Sequence, residues 1–183
     1  MKKIFVLFII LCNLIVAQDY NKAVMENKNI KSIEQKQITE QEISLIGVNV
    51  DGIRVDKIYT NLLSQKSEVV ILKKDLETAF LAKNKDIKEI NLTIGKDKLI
   101  AKGKVSLLGI IMSVYLEGEF ILNDNQELEF DIKKAKVNGI IGVPKKIIEG
   151  FKKRLNPIFK LKKFGIPLYV SKIIFEKDKI KFI

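Results

Sequence analysis

Hydrophobic positions along the chain recur with two periods, and the switches between them mark out the elements. Ile43 and Leu45, then Val48 and Val50, fall on every second residue, with Gly47 between the pairs allowing a bulge. Asp51-Gly52 is a turn signal, and Ile53, Val55 and Tyr59 continue the extended pattern beyond it, so a hairpin is predicted across that dipeptide. After Val69 the period changes. Leu72, Leu76, Ala79, Phe80 and Lys83 share one helical side while Lys73, Lys74, Asp75 and Glu77 face away, which predicts a short amphipathic helix over 73–83. Period two then returns at Ile90, Leu92 and Ile94, and after a turn at Gly95–Asp97 it resumes from Leu99 to Val105.

The stretch from Val105 to Leu122, VSLLGIIMSVYLEGEFIL, is nearly all apolar. Glu117 and Glu119 would lie inside the apolar window of a membrane helix, which argues against one. Read as an unbroken strand, it puts Ile110, Met112, Val114, Leu116, Gly118, Phe120 and Leu122 on one face, the pattern of a long antiparallel strand with a fully buried side. Asn123–Gln126 turns the chain, and Leu128, Phe130 and Ile132 alternate against Glu127, Glu129, Asp131 and Lys133. A second helix is predicted over Pro144–Leu155, with Pro144 as its first residue. Its apolar side carries Ile147, Ile148, Phe151 and Leu155, and lysines and Arg154 surround the rest. Asn156-Pro157 ends it, and the tail alternates again through Leu168 and Val170, then Ile173 and Phe175, with a turn at Glu176–Lys179 before Ile180 and Phe182. The expected class is α+β: an elongated, mainly antiparallel twisted sheet with two short amphipathic helices.

Residues 1–17 have the layout of a secretory signal peptide: Lys2 and Lys3, an apolar run from Ile4 to Leu11, then Ala17 before polar Gln18. Cleavage is expected after Ala17, and an uncleaved N-terminal anchor is the alternative. A lipoprotein modified at Cys12 is disfavoured by bulky Leu11. Residues 18–29 read as a loose polar lead-in, and 30–183 as one domain. The location implied is extracytoplasmic, periplasmic or secreted. Without the leader the chain has no cysteine to form a disulfide. Its net charge falls from +11 to +9 with the loss of two lysines. Such a charge suits anionic lipid or polymer, export makes nucleic acid the weakest partner, and plain solubilisation by lysine explains the charge equally well. The excess is concentrated between Lys133 and Lys163, where eleven basic residues face one acid, Glu149. The lysine-rimmed second helix fits an anionic membrane surface, but its apolar side could equally cover the sheet.

Candidate chemistry is sparse. The absence of histidine removes the usual base of a serine triad and a principal ligand of zinc and copper. The carboxylate pairs Glu117/Glu119 and Glu127/Glu129 read as solvated strand faces rather than cation sites. Gly139-Ile140-Ile141-Gly142 lacks the Lys-Ser/Thr ending of a phosphate loop. No catalytic residue, metal or cofactor is expected, and the protein is read as a non-enzyme.

The segments VILKKDLETAFLAKN, INLTIGKDKLIAKGKV, VYLEGEFILNDNQELEFDIKKAKVNGIIGVPKKIIEGFKKRLNP and FGIPLYVSKIIFEKDKIKFI resemble, in that order, the DUF2993 or LmeA-like phospholipid-binding family. With VNVDGIRVDKIYTNLL upstream, the resemblance covers most of residues 40–183. It implies an extracytoplasmic phospholipid-binding protein of the cell envelope, with a β-rich fold related to tubular lipid-binding modules. Its matching positions, as packing or lipid-lining residues, are Leu76, Phe80, Pro144, Ile148, Phe151, Pro167 and Leu168. The expected ligand is an anionic phospholipid. Its chains would lie against Met112, Val114, Leu116, Ile147, Ile148 and Phe151, and its headgroup near Lys145, Lys146, Lys152, Lys153 and Arg154. The competing expectation is a non-enzymatic structural or interaction protein of the envelope whose core is completely packed. An apolar groove reaching the lysine-rich helix separates the first expectation from the second.

Overall fold

The period-two segments fold as antiparallel strands. The computed structural model describes residues 17–183 apart from residues 97, 108 and 142, so the expected leader lies outside the described residues save for Ala17. Helix α1 occupies residues 17–26, where a loose lead-in was expected. Val24 is fully buried and Tyr20 packs on the core; these two side chains, four residues apart on one helical face, anchor an otherwise polar segment. Next come β1 (Ile30–Ser32), β2 (Gln35–Ile38), β3 (Glu42–Val50), β4 (Ile53–Asn61) and β5 (Lys66–Leu72). The predicted β3–β4 hairpin turns at Asp51 and Gly52, both with positive φ, which is the geometry of the two-residue turn.

Helix α2 (Lys73–Lys83) buries Leu76, Ala79 and Phe80, the stripe read from the sequence. Strands β6 (Ile87–Ile94), β7 (Leu99–Leu107), β8 (Ile110–Leu122), β9 (Glu127–Val137) and β10 (Ile140–Ile141) follow. Helix α3 (Lys145–Leu155) is preceded by Pro144, which caps it with extended ψ instead of forming its first helical residue. The chain then makes β11 (Phe159–Lys160), a 3₁₀ turn (Leu161–Phe164), β12 (Ile173–Glu176) and β13 (Lys179–Phe182). The expected strand through Leu168 and Val170 is irregular backbone, although Leu168 is buried.

Sheet A runs β1-β3-β4-β5-β13-β12, with β2 also paired to β3; sheet B runs β10-β9-β8-β7-β6, with β11 also on β9. Both are curled, and the α+β, antiparallel expectation holds. The apolar stretch 105–122 is not one strand: it closes β7 at Leu107, turns at Gly109, where φ is 81°, and opens β8 at Ile110. Val114, Leu116, Gly118 and Phe120 are buried as expected, but Met112 is half-buried and Ile110 is exposed, because the inner face runs out beyond the packing elements near the turn. Opposite Gly118 the register slips by one residue, so that Glu117 pairs with Lys134 and Gly118 with Ile132. This bulge at Lys133 carries Ala135 back to the buried face after Ile132. A side chain at position 118 would meet the Asp131 carbonyl, so glycine permits the close approach there.

Candidate functional site

Beneath α3, the inner face of sheet B is not filled. Its inward residues on β7 are Leu99, Ala101, Gly103 and Val105, which alternate with outward Lys102 and Lys104. Two of the four inward positions have little or no side chain. On β8 the matching rungs carry Met112, Val114 and Leu116. Between these strands, the C-terminal part of α2 and the inner side of α3 lies a partly enclosed apolar cleft of about 90 Å³. Phe80, Phe130, Phe151 and Leu155 wall it from the other sides, and Asn84, Asp86, Glu89, Lys102 and Ser106 are its polar members. Ligand pockets generally measure about 300–1,000 Å³, and an apolar cavity of about 150 Å³ takes a benzene-sized guest. With α3 seated, the cleft therefore accepts no more than a short piece of hydrocarbon.

Four of the sequence-derived lipid candidates, Met112, Val114, Leu116 and Phe151, come together in this cleft. Ile148 packs on the core outside it, and Ile147 points away, 46% exposed. Of the positions brought by the family likeness, Phe80 lines the cleft, Leu76 and Leu168 are buried in the core, Pro144 caps α3 and Pro167 is half-buried. Sequence reasoning did not single out Ala101, Gly103 or Lys102. The run of small and basic residues in IAKGK was the available signal, because on a strand it places the small residues on one face and the lysines on the other.

The headgroup candidates do not gather at the cleft. Lys145, Lys146 and Lys153 are exposed along α3, and the Arg154 side chain is outside the described set. Lys152 is half-buried and tied to sheet B, its Nζ 2.5 Å from Asp131 Oδ1. Lys133 contacts the same carboxylate at 2.6 Å, and hydrogen bonds from Lys133 and Lys152 hold the Asp131 carboxyl below its ordinary range. One turn further on, at the C-terminal cap of α3, Asn156 accepts from the Phe130 N–H at 2.8 Å and donates to the Phe130 carbonyl at 3.2 Å. The helix is thus fixed at its C-terminal end. Elsewhere it rests on the half-buried side chains of Ile148, Phe151 and Leu155.

The outer face of the same strands has a different chemistry. Tyr115 sits between Lys102 and Lys136 on one rung, with the two Nζ atoms 5.9 and 5.7 Å from its ring centre. Its hydroxyl donates to Glu117 Oε2 at 2.7 Å, which pushes the phenol pKa up and the Glu117 carboxyl down. Lys102, Lys104, Ser113, Tyr115 and Lys136 border an open trough of about 630 Å³. The carboxylates of the Glu117/Glu119 and Glu127/Glu129 pairs are engaged one by one: Glu117 with Lys98, Glu119 with Lys133, Glu127 with Lys160 and Glu129 with Asn123. Among the described residues no helix is long and apolar enough to cross a membrane. The chain matches no protein-family model, no curated protein and no solved structure.

Proposed function

We propose that this protein binds an anionic phospholipid outside the cytoplasm, holding part of an acyl chain in the cleft of sheet B. The observation that carries the reading is the cleft itself, in which Met112, Val114, Leu116 and Phe151 face the small residues Ala101 and Gly103 of β7. Burial of each chain methylene contributes about 0.8 kcal/mol, so binding needs no covalent step. The family likeness read in the sequence supplies the phospholipid class, and the leader supplies the compartment. Entry of a chain requires α3 to lift from the sheet about its Asn156 end. Two features favour that motion: the half-buried contacts of α3, and Gly150 within the helix, which lowers helix stability by about 1 kcal/mol relative to alanine.

Ala101→Leu fills the cleft from the floor. After exposure to phosphatidylglycerol, native mass spectrometry is expected to find lipid on the wild type, and on the variant with affinity reduced about tenfold. That loss equals the displacement of about two methylenes. Lipid-free wild-type protein under those conditions ends the proposal. The second reading, an envelope interaction protein with a closed core, is favoured by the modest 90 Å³ of the cleft. Under it, wild type and Ala101→Leu retain no lipid, and filling the cleft only stabilises the fold.

A further inference from the structure

One end of sheet B concentrates exposed apolar groups and unpaired positive charge. Ile110 and Ile111, at the start of β8, are 65% and 62% exposed, and as neighbours on a strand they face opposite sides. The turn between β9 and β10 is fastened against this hairpin: the Asn138 N–H donates to the Ser113 carbonyl at 2.8 Å, and the Ser113 N–H to Asn138 Oδ1 at 2.9 Å. Helix α3 begins at the same end, because Ile141 pairs with Lys136 shortly before it while its far end is held at Phe130. Its first turn adds Lys145, Lys146 and Ile147, all exposed. Behind the tip, Lys102 and Lys136 flank Tyr115, which stands four residues along β8 from Ile111, about 14 Å at strand rise. None of these four lysines has a carboxylate partner among the described residues, whereas Lys104 on the same face is paired with Glu89.

We infer that this end of sheet B is a docking surface for an anionic phospholipid bilayer. Ile110 and Ile111 enter the interface, and Lys102, Lys136, Lys145 and Lys146 meet the phosphates. Charge complementarity selects the occupant: apolar residues at a tip, backed by lysines and a tyrosine, match the layered chemistry of a membrane surface, where hydrocarbon underlies anionic headgroups. The placement also deepens the cleft proposal, on which its purpose rests. The cleft reaches the Val105–Met112 rung, two residues along each strand from the Leu107–Ile110 rung that closes the hairpin. Docking by the tip therefore brings the cleft to the lipid.

Vesicle flotation with phosphatidylglycerol–phosphatidylcholine and with phosphatidylcholine alone tests the inference. The wild type is expected to float with the first and not the second. Ile110→Asp combined with Ile111→Asp, with circular dichroism and melting unchanged, is expected to lower binding at least tenfold; Lys102→Ala and Lys136→Ala are expected to lower it about fivefold each. Because the chain has no tryptophan, Ile111→Trp gives a single reporter whose emission shifts blue on the anionic vesicles and is quenched by brominated lipid. Leu63→Trp, at an exposed position in the β4–β5 turn of sheet A, stays in water. The inference is overturned by wild-type protein that does not float, by a double aspartate variant that floats as well as wild type, or by Ile111→Trp emission that does not change. Ala101→Leu separates the two proposals: docking without lipid retention in the wild type removes the cleft reading alone, and the variant is expected to dock normally.

Discussion

Sheets A and B share a pairing scheme and a core but fill their inner faces differently. Ile43, Leu45, Val48, Val55, Ile58, Val69 and Ile71 on sheet A are wholly buried, and β13, paired beside β5, extends that face with Ile180 and Phe182. On sheet B the corresponding faces of β6, β7 and β8 mix buried residues with half-buried Ile90, Ala101, Val105 and Met112. The difference lies in side-chain volume. Strand β5 turns the branched residues Val69 and Ile71 inward, whereas β7 turns Ala101 and Gly103 inward beneath a helix that offers only Ile148, Phe151 and Leu155. A close-packed face stabilises the fold, and a face short of volume leaves space that a ligand can use.

The contrast is broken most directly by cutting into each face. Ile71→Ala in sheet A is expected to cost about 2–5 kcal/mol, while Met112→Ala beside the cleft costs about 1 kcal/mol, since its side chain is only half removed from water. Equal losses in denaturant titrations would show that sheet B is as tightly packed as sheet A. Gly118→Ala comes next, at about 1–3 kcal/mol by overpacking against the Asp131 carbonyl, read as a lower urea midpoint. Ala101→Leu, an enlargement on the same sheet, is expected to raise stability by about 0.5–1 kcal/mol because it enters free space. A fall as large as that expected for Gly118→Ala would remove the distinction.

The smallest effect is electrostatic. Asp131 has its folded pKa lowered by Lys133 and Lys152, so its contribution is complete above the unfolded value of about 3.9 and is lost as pH falls through the lower folded value. Protease sensitivity of α3 is therefore expected to rise below about pH 4 in the wild type. Lys152→Ala should show part of that loosening already at pH 7, at a cost of about 1 kcal/mol or less.

Alternation and turn chemistry made most of this architecture legible. The β3–β4 hairpin, α2, α3 and the buried stretch from Val114 to Phe120 followed from spacing alone. What escaped depended on partners distant in sequence. The bulge at Lys133 exists because Gly118 faces it across the sheet, and α1 forms because Val24 and Tyr20 find a core that no local pattern reveals. The turn at Gly109 was hidden by apolar residues on both sides of it. At the candidate site, the greasy face of β8 was legible. The void was not, since it arises from what β7 lacks. The basic cluster was visible as a run of letters, but only coordinates show Lys133, Lys152, Lys160 and Lys163 engaged with Asp131, Glu127 and Asp51.

Strand β13 lies between β5 and the edge strand β12 of sheet A, with Ile180 opposite Ile71, so the two halves of that pairing are roughly a hundred residues apart. Non-local pairing of this kind slows folding, and until β13 arrives the apolar rim of β5 is an open template for any other extended chain. The interval between synthesis and closure is thus when this protein is most prone to aggregate, and a holding chaperone would need to shield Val69–Leu72 throughout it.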